Sequence, residues 1–247
     1  MARLKIGRLL PGFRSVGIGS RRPVRGTALI DNEEFTVIAK SIPDRELAIE
    51  LVCSCIGREI GLPIPEPVLL LNADGKWHFG SIDLGHPNLQ QVAVCDDAAI
   101  IARLERWPGL VKAACFDEWI ANPDRGDENL LFDGNGFILI DHGLAIPQGM
   151  SSSDWTDDYY SNQLLDVVNG GCRGSSTEKT ARAQEMMEWS TNVGGFSSIY
   201  GPDAFPEYIE PKYRETLSDF LTARIESLSS ELYRKLNPEQ GALNLND

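Results

Sequence analysis

The stretch best equipped for chemistry is Asn122-Pro-Asp-Arg-Gly-Asp-Glu-Asn-Leu-Leu-Phe132, followed by Ile138-Leu-Ile-Asp-His-Gly143. Asp124 and Asn129 stand five residues apart in a polar loop, and Asp141 directly follows an apolar run. Mg²⁺ takes oxygen ligands, and a loop amide together with a strand-end carboxylate supplies two beside those of a nucleotide's phosphates. A further loop carboxylate can take the proton of an attacking hydroxyl. On this reading Asp124 is the base, Asn129 a metal ligand and Asp141 the main metal ligand of a metal-assisted phosphoryl transfer. Taken singly, Asp-Arg-Gly-Asp and Asp-Gly-Asn-Gly are ordinary turn compositions. Their order and closeness, with a hairpin between them, favour the phosphoryl-transfer reading.

Such a site needs elements to hold it. The apolar runs 130–132 and 137–140 flank Asp133-Gly-Asn-Gly136 and predict a short hairpin. A hairpin over 26–40 turns at Asp31-Asn-Glu-Glu34 and ends in Lys40, whose stem can lie along a cleft while its ammonium meets phosphates; a solvated strand-end lysine is the plainer role. Asp44 is placed to cap a helix reaching about Ile60, with Gly61 as its stop and Pro63 and Pro65 barring continuation. On that helix Glu50 lies off the Ala48, Val52, Cys55, Ile56 stripe, and Glu46 stands one turn earlier as its substitute. Residues 68–71 and 76–82 form a further hairpin through Asn72-Ala-Asp-Gly75, and 81–91 reads as a connector. Helices are expected over 96–106, over 108–121 with Pro108 as first helical residue, and over 154–168, 177–189 and 211–236.

Composition bounds what these elements can do. The 247 residues are 42% hydrophobic, enough for a substantial core, and no apolar run approaches the ~18 residues needed to cross a bilayer. The start, Met1 to Phe13, has no signal-peptide core, so a soluble cytoplasmic protein is expected. A net charge of −13 argues against direct nucleic-acid binding. Residues 1–30 nevertheless hold seven of the 23 basic residues and no acid, leaving −20 on the rest. Within that segment Val16-Gly-Ile-Gly-Ser-Arg-Arg-Pro-Val-Arg-Gly26 lacks GxGxxG. Its backbone around Gly17–Ser20, Gly19 and Ser20 included, with Arg21, Arg22 or Arg25, could cradle phosphate, or the segment could be an arm for an acidic partner; the two readings stand level. The five cysteines show no zinc spacing and read as buried thiols of a reducing compartment. His142 reads as a packing or supporting residue, and Trp107, Trp119, Trp155 and Trp189 as core or interface anchors.

Asn122-x-Asp124-Arg-x-x-x-Asn129-Leu-Leu with Leu139-Ile-Asp-His-Gly143 resembles the catalytic and metal loops of HipA-like kinases, in particular their small stand-alone members. Ile38-Ala-Lys40, Glu50 and Gly61-Leu-Pro-Ile-Pro65 are similar to that family's nucleotide lysine, helix glutamate and helix-ending segment, and together the likeness covers about residues 25–145. Phosphoinositide-type lipid kinases share Asp-Arg-His-x-x-Asn and Ile-Asp-x-Gly, so the local pattern leaves the acceptor open. Where many relatives have His, this chain has Gly126, with Asp127 beside it as a second candidate base. The resemblance implies an α+β, two-lobed protein-kinase-like fold, with a small mixed lobe over residues 1–95 and a mostly helical lobe over 96–247. It implies ATP and Mg²⁺ bound between the lobes, transfer to a protein Ser or Thr hydroxyl, and an antitoxin-like regulatory partner. A catalytically weak nucleotide-binding regulator and a lipid or small-molecule kinase are the alternatives.

Overall fold

The computed structural model describes residues 4–17, 21–92, 97–172, 175–195 and 208–236. Strands β1 (Lys5–Leu9), β2 (Arg14–Ser15), β3 (Val24–Ile30) and β4 (Glu33–Lys40) lead into helix α1 (Asp44–Glu59), followed by β5 (Pro67–Leu71) and β6 (Trp77–Ile82). A short α2 (Leu89–Val92), α3 (Asp97–Glu105) and α4 (Leu110–Trp119) come next, then β7 (Leu130–Phe132) and β8 (Phe137–Leu139). Helices α5 (Gln163–Gly171), α6 (Ser176–Gly194) and α7 (Pro211–Leu236) complete the described chain.

The first six strands form one sheet in the order β1-β5-β6-β4-β3-β2, and β1 also pairs with β3, so the sheet closes on itself. Its inner residues Leu9, Ala28, Ile30, Val37, Ala39, Val68 and Leu70 form a small separate core. Tight closure explains Gly80: a Cβ there would lie 2.3 Å from Leu70 Cδ1 and 3.3 Å from the Val68 carbonyl. The β3–β4 turn is made by Asp31 and Asn32 alone, both at positive φ (51° and 67°), a geometry that suits the twist of adjoining strands and that Asn and Asp tolerate.

Helix α1 lies between this sheet and the helical remainder. Every residue from Ala48 to Gly57 is buried. Ile49, Val52 and Ile56 join Leu69 and Phe79 of the sheet to Trp119, Leu139 and Leu221 in one continuous core. The hairpin β7–β8 is tied to the segment after α1 by Leu139 N donating to Pro63 O at 2.9 Å, and to the connector by Phe132 N donating to Pro87 O at 2.9 Å.

Several expectations are corrected here. Asp44 is the first helical residue and makes no capping bond; Pro43 occupies the cap. Pro108 does not begin α4, which starts at Leu110 with Gly109 as its cap. The helix expected over 154–168 starts only at Gln163, because Asn162 caps it by accepting from Leu165 N at 3.1 Å. Thr156 ahead of it is held instead by hydrogen bonds with Glu118 and Lys235. Trp155 is exposed, with the Arg234 guanidinium 4.1 Å from its ring centroid. The basic first segment contributes two strands, β1 and β2, that local pattern had not announced.

Candidate active site

The hairpin β7–β8 explains how two residues twelve apart in sequence come together. Register pairs Leu130 with Leu139, so Asn129 and Ile140 lie opposite one another, and Ile140 N donates to Asn129 O at 3.1 Å. Asn129 thus precedes one strand and Asp141 follows the other, at the same end of the ladder. Asn129 Nδ2 donates to Asp124 O at 2.5 Å and lies 3.2 Å from Asp124 Oδ2, which gathers Asp124 to that end.

The loop between Ala121 and Asn129 is anchored from below by a residue that sequence reasoning missed. Asp117, fully buried on α4, accepts from Arg125 Nε at 2.8 Å, Arg125 Nη2 at 3.0 Å and Asn122 Nδ2 at 3.1 Å. Arg125 Nη1 also donates to Asn129 O at 2.9 Å and Ile140 O at 2.6 Å, and Asn122 Oδ1 accepts from Asp124 N at 3.2 Å. The guanidinium therefore fastens both ends of the hairpin and the loop between Ala121 and Asn129 to one helix, the bidentate use to which its planar fork is suited. No local signal separates Asp117 from other helical carboxylates; only its burial does.

Backbone strain concentrates at the same place. Ala121, Asp141 and Ile146 have φ of 48°, 61° and 53°, values that cost a residue with a Cβ about 1–3 kcal/mol each. Ile146 N donates to the carbonyls of Ile120 (2.9 Å) and Ala121 (3.1 Å), while its own carbonyl accepts from Arg45 Nη2 of α1 at 2.5 Å. The loop after Asp141 is thus clamped between α1 and the start of the 121–129 loop.

A cavity of about 630 Å³ opens over these groups, lined by Lys40, Glu50, Asp124, Glu128, Asn129 and Asp141 and by apolar Ile38, Ile64, Phe79 and Leu139. Lys40 Nζ lies 2.7 Å from Asp141 Oδ2. Glu50, although off the apolar stripe of its helix, is buried, because α1 is covered on nearly all sides. It faces His142, with Oε1 3.7 Å from Nδ1, too long for a hydrogen bond, and among the described residues Glu50 Oε2 and both His142 ring nitrogens have no hydrogen-bond partner. Burial pushes the Glu50 carboxyl up, but neighbouring His142 and Lys40 outweigh it and hold the group below the usual glutamate range. Gly143 leaves room for this approach, since a Cβ there would sit 3.1 Å from Glu50 Oε2. Asp124 behaves oppositely: burial and the Asp141 charge push it above the ordinary aspartate range.

The remaining candidates divide. Arg25 lines the cavity and pairs with Asp83 at 2.7 Å, while Arg21 pairs with Glu46 at 2.5 Å. Arg22 is exposed at a positive φ of 48° and is not among the cavity-lining residues. Gly19 and Ser20 lie outside the described residues, as does Cys95. Cys53, Cys55, Cys115 and Cys172 are buried free thiols.

The donors at the hairpin end suit a hard cation. Asn129 spends its amide nitrogen on Asp124, so that Oδ1 is its atom suited to a cation, and the Asp124 and Asp141 carboxylates repel one another across a site that a cation would relieve.

No protein-family model matches the chain, and no curated protein matches it. Among solved structures, the Helicobacter pylori proinflammatory kinase CtkA superposes over 94% of this chain and 96% of that one, with a TM-score of 0.55 and 13% identity. An N-terminal 618-residue fragment of LepB from Legionella pneumophila matches 83% of this chain and 45% of that one, with a TM-score of 0.43 and 14% identity. The first likeness is one of fold: this chain has a mixed α/β, kinase-like fold. No helix among the described residues is long and apolar enough to cross a membrane.

Proposed function

We infer that the protein is an ATP- and Mg²⁺-dependent phosphotransferase of two lobes, residues 1–95 and 96–247, acting on a Ser or Thr hydroxyl of a protein in the manner of HipA-like kinases. The observation that carries this reading is the convergence of Lys40, Asp124, Asn129 and Asp141, drawn from three separate elements, on one cavity. The kinase-like fold and the motif order support it.

Asp141 and Asn129 would hold Mg²⁺, which neutralises phosphate charge when bound. Lys40, paired with Asp141 at 2.7 Å, would exchange that carboxylate for the phosphates, with the Glu50 carboxylate, held below the usual glutamate range, as a nearby negative partner. Asp124 takes the proton of the acceptor hydroxyl as that oxygen bonds to the γ-phosphorus; the bond from the γ-phosphorus to the bridging oxygen breaks and its electron pair leaves on ADP. The raised affinity of Asp124 for a proton suits that role. The strained backbone at Asp141 and the Arg125 anchor hold the groups in place before substrate arrives.

A nucleotide-binding regulator is the second reading. It is favoured by the Lys40–Asp141 ion pair, in which the nucleotide lysine and the metal carboxylate occupy one another. Incubation with γ-³²P-ATP and Mg²⁺ separates the two: label on protein, with release of ADP, is the expected result. Saturable ATP binding with no transfer to protein, lipid or water establishes the regulator instead.

A further inference from the structure

The loop from Asp141 to Ile146 has a residue in the left-handed region at each end, with φ of 61° and 53°. Neither is a glycine, and Ile146 is β-branched, the class of side chain least at ease in that region. Between them Ala145 N donates to His142 O at 2.9 Å and closes the loop into a tight turn. The two ends then act as its hinges. A relaxation of Ile146 toward negative φ is taken up at Asp141, the carboxylate assigned to the metal.

Ile146 is held from two sides. Its N–H is engaged by the Ile120 and Ala121 carbonyls, and its own carbonyl, on a residue only 4% exposed, accepts from Arg45 Nη2 at 2.5 Å. A buried carbonyl is costly to leave without a donor, so this bond fixes the peptide that follows Ile146. Arg45 lies 101 residues away in sequence, on the first turn of α1. Among the described residues no carboxylate pairs with it, and Glu46 beside it is engaged with Arg21. The same turn of α1 carries the middle of the loop: a Cβ at Gly143 would lie 3.6 Å from Glu46 O and 3.7 Å from Glu46 Cβ. On the other side of Asp141 the hairpin fixes the chain, through Ile140 N donating to Asn129 O at 3.1 Å. Asp141 thus stands between a fixed strand end and a hinge whose setting depends on Arg45.

We propose that Arg45 is a positioning residue for the metal: by holding Ile146 in its strained conformation from α1, it sets the direction of the Asp141 carboxylate without touching the cation. The proposal rests on the phosphotransferase reading, which makes Asp141 a metal ligand. A tie that serves the fold alone would add stability and leave metal affinity where it was.

Mn²⁺ without nucleotide is the probe, its free concentration read by electron paramagnetic resonance in titrations of the whole chain, with a thermal melt of every variant. Arg45→Met should weaken Mn²⁺ binding by about tenfold, the scale of one charge-assisted hydrogen bond. Arg45→Lys should stay within about threefold of wild type, because a single carbonyl needs one donor and not a planar fork. Glycine adopts positive φ at no steric cost, so in an Ile146→Gly background Arg45→Met should change Mn²⁺ affinity by less than about threefold. Unchanged Mn²⁺ affinity in Arg45→Met, with or without a lower Tm, overturns the proposal. So does an Arg45→Lys variant as weak as Arg45→Met, or a full tenfold loss in the Ile146→Gly background, since the effect then does not run through residue 146. Asp141→Asn separates the two levels. If it loses Mn²⁺ while Arg45→Met keeps it, the positioning role alone fails; if wild type binds no Mn²⁺, or Asp141→Asn binds it equally well, the metal assignment beneath fails and the proposal with it.

Discussion

Replacing Arg125 by Met removes the fastening of the catalytic loop and permits its cost to be worked out in advance. The guanidinium makes two bonds to Asp117 (2.8 and 3.0 Å), one to Asn129 O (2.9 Å) and one to Ile140 O (2.6 Å). In Arg125→Met the Asp117 carboxylate stays fully buried with Asn122 Nδ2 at 3.1 Å as its remaining side-chain donor, and two carbonyls lose a donor. Breaking one side of a buried ion pair costs about 3–5 kcal/mol, a large share of the ~5–15 kcal/mol that holds a domain together. At roughly 2–4 °C per kcal/mol for a chain of this size, Tm should fall by roughly 6–20 °C. Most of that loss is the orphaned charge rather than missing contacts. The double variant Asp117→Leu/Arg125→Met should therefore recover about 1–3 kcal/mol relative to the sum of the singles. Urea unfolding followed by tryptophan fluorescence, with far-ultraviolet circular dichroism as the check on fold, measures all three. An Arg125→Met variant within about 1 kcal/mol of wild type, or a double variant costing the full sum, refutes the reasoning.

Asp124→Ala should lower kcat by about 10²–10⁴-fold with little change in ATP affinity, and Asp127→Ala by far less; steady-state kinetics with calorimetry of Mg²⁺-ATP binding checks both, and the reverse ranking moves the base to Asp127. Gly80→Ala puts a methyl 2.3 Å from Leu70 Cδ1 inside the closed sheet and should destabilise by about 1–3 kcal/mol, read from the urea midpoint. Burial raises the pKa of the Cys53 and Cys115 thiols, and pushes Cys55 up to about 12, so alkylation mapped by mass spectrometry should reach these three only after unfolding.

The parts of the molecule legible in sequence are those written in short-range chemistry. Gly61, at a φ of 81°, and the prolines after it end α1 where expected, and Asp31-Asn32 makes the turn that ends at Lys40's strand. Asp124, Asn129 and Asp141 gather because the hairpin between the last two is itself short-range. What stayed hidden depends on contacts far apart in the chain. Strand β1 is defined by pairing with β5, parallel, and with β3, neither of which its own residues announce. Helical periodicity placed Glu50 off the apolar face, yet a helix covered by a sheet and other helices buries its polar side as well. Asp117 looked like any helical acid until Arg125 was found against it.

The central claim is that Asp141 holds the metal for phosphoryl transfer in this cavity. Initial rates of ADP formation against Mg²⁺ concentration, for wild type and Asp141→Asn with thermal melts of both, test it directly. An amide cannot supply the carboxylate's charge, so the variant should melt as a folded protein and lose about 10²-fold or more in rate at every Mg²⁺ concentration. Near wild-type turnover in a folded Asp141→Asn protein would contradict the claim.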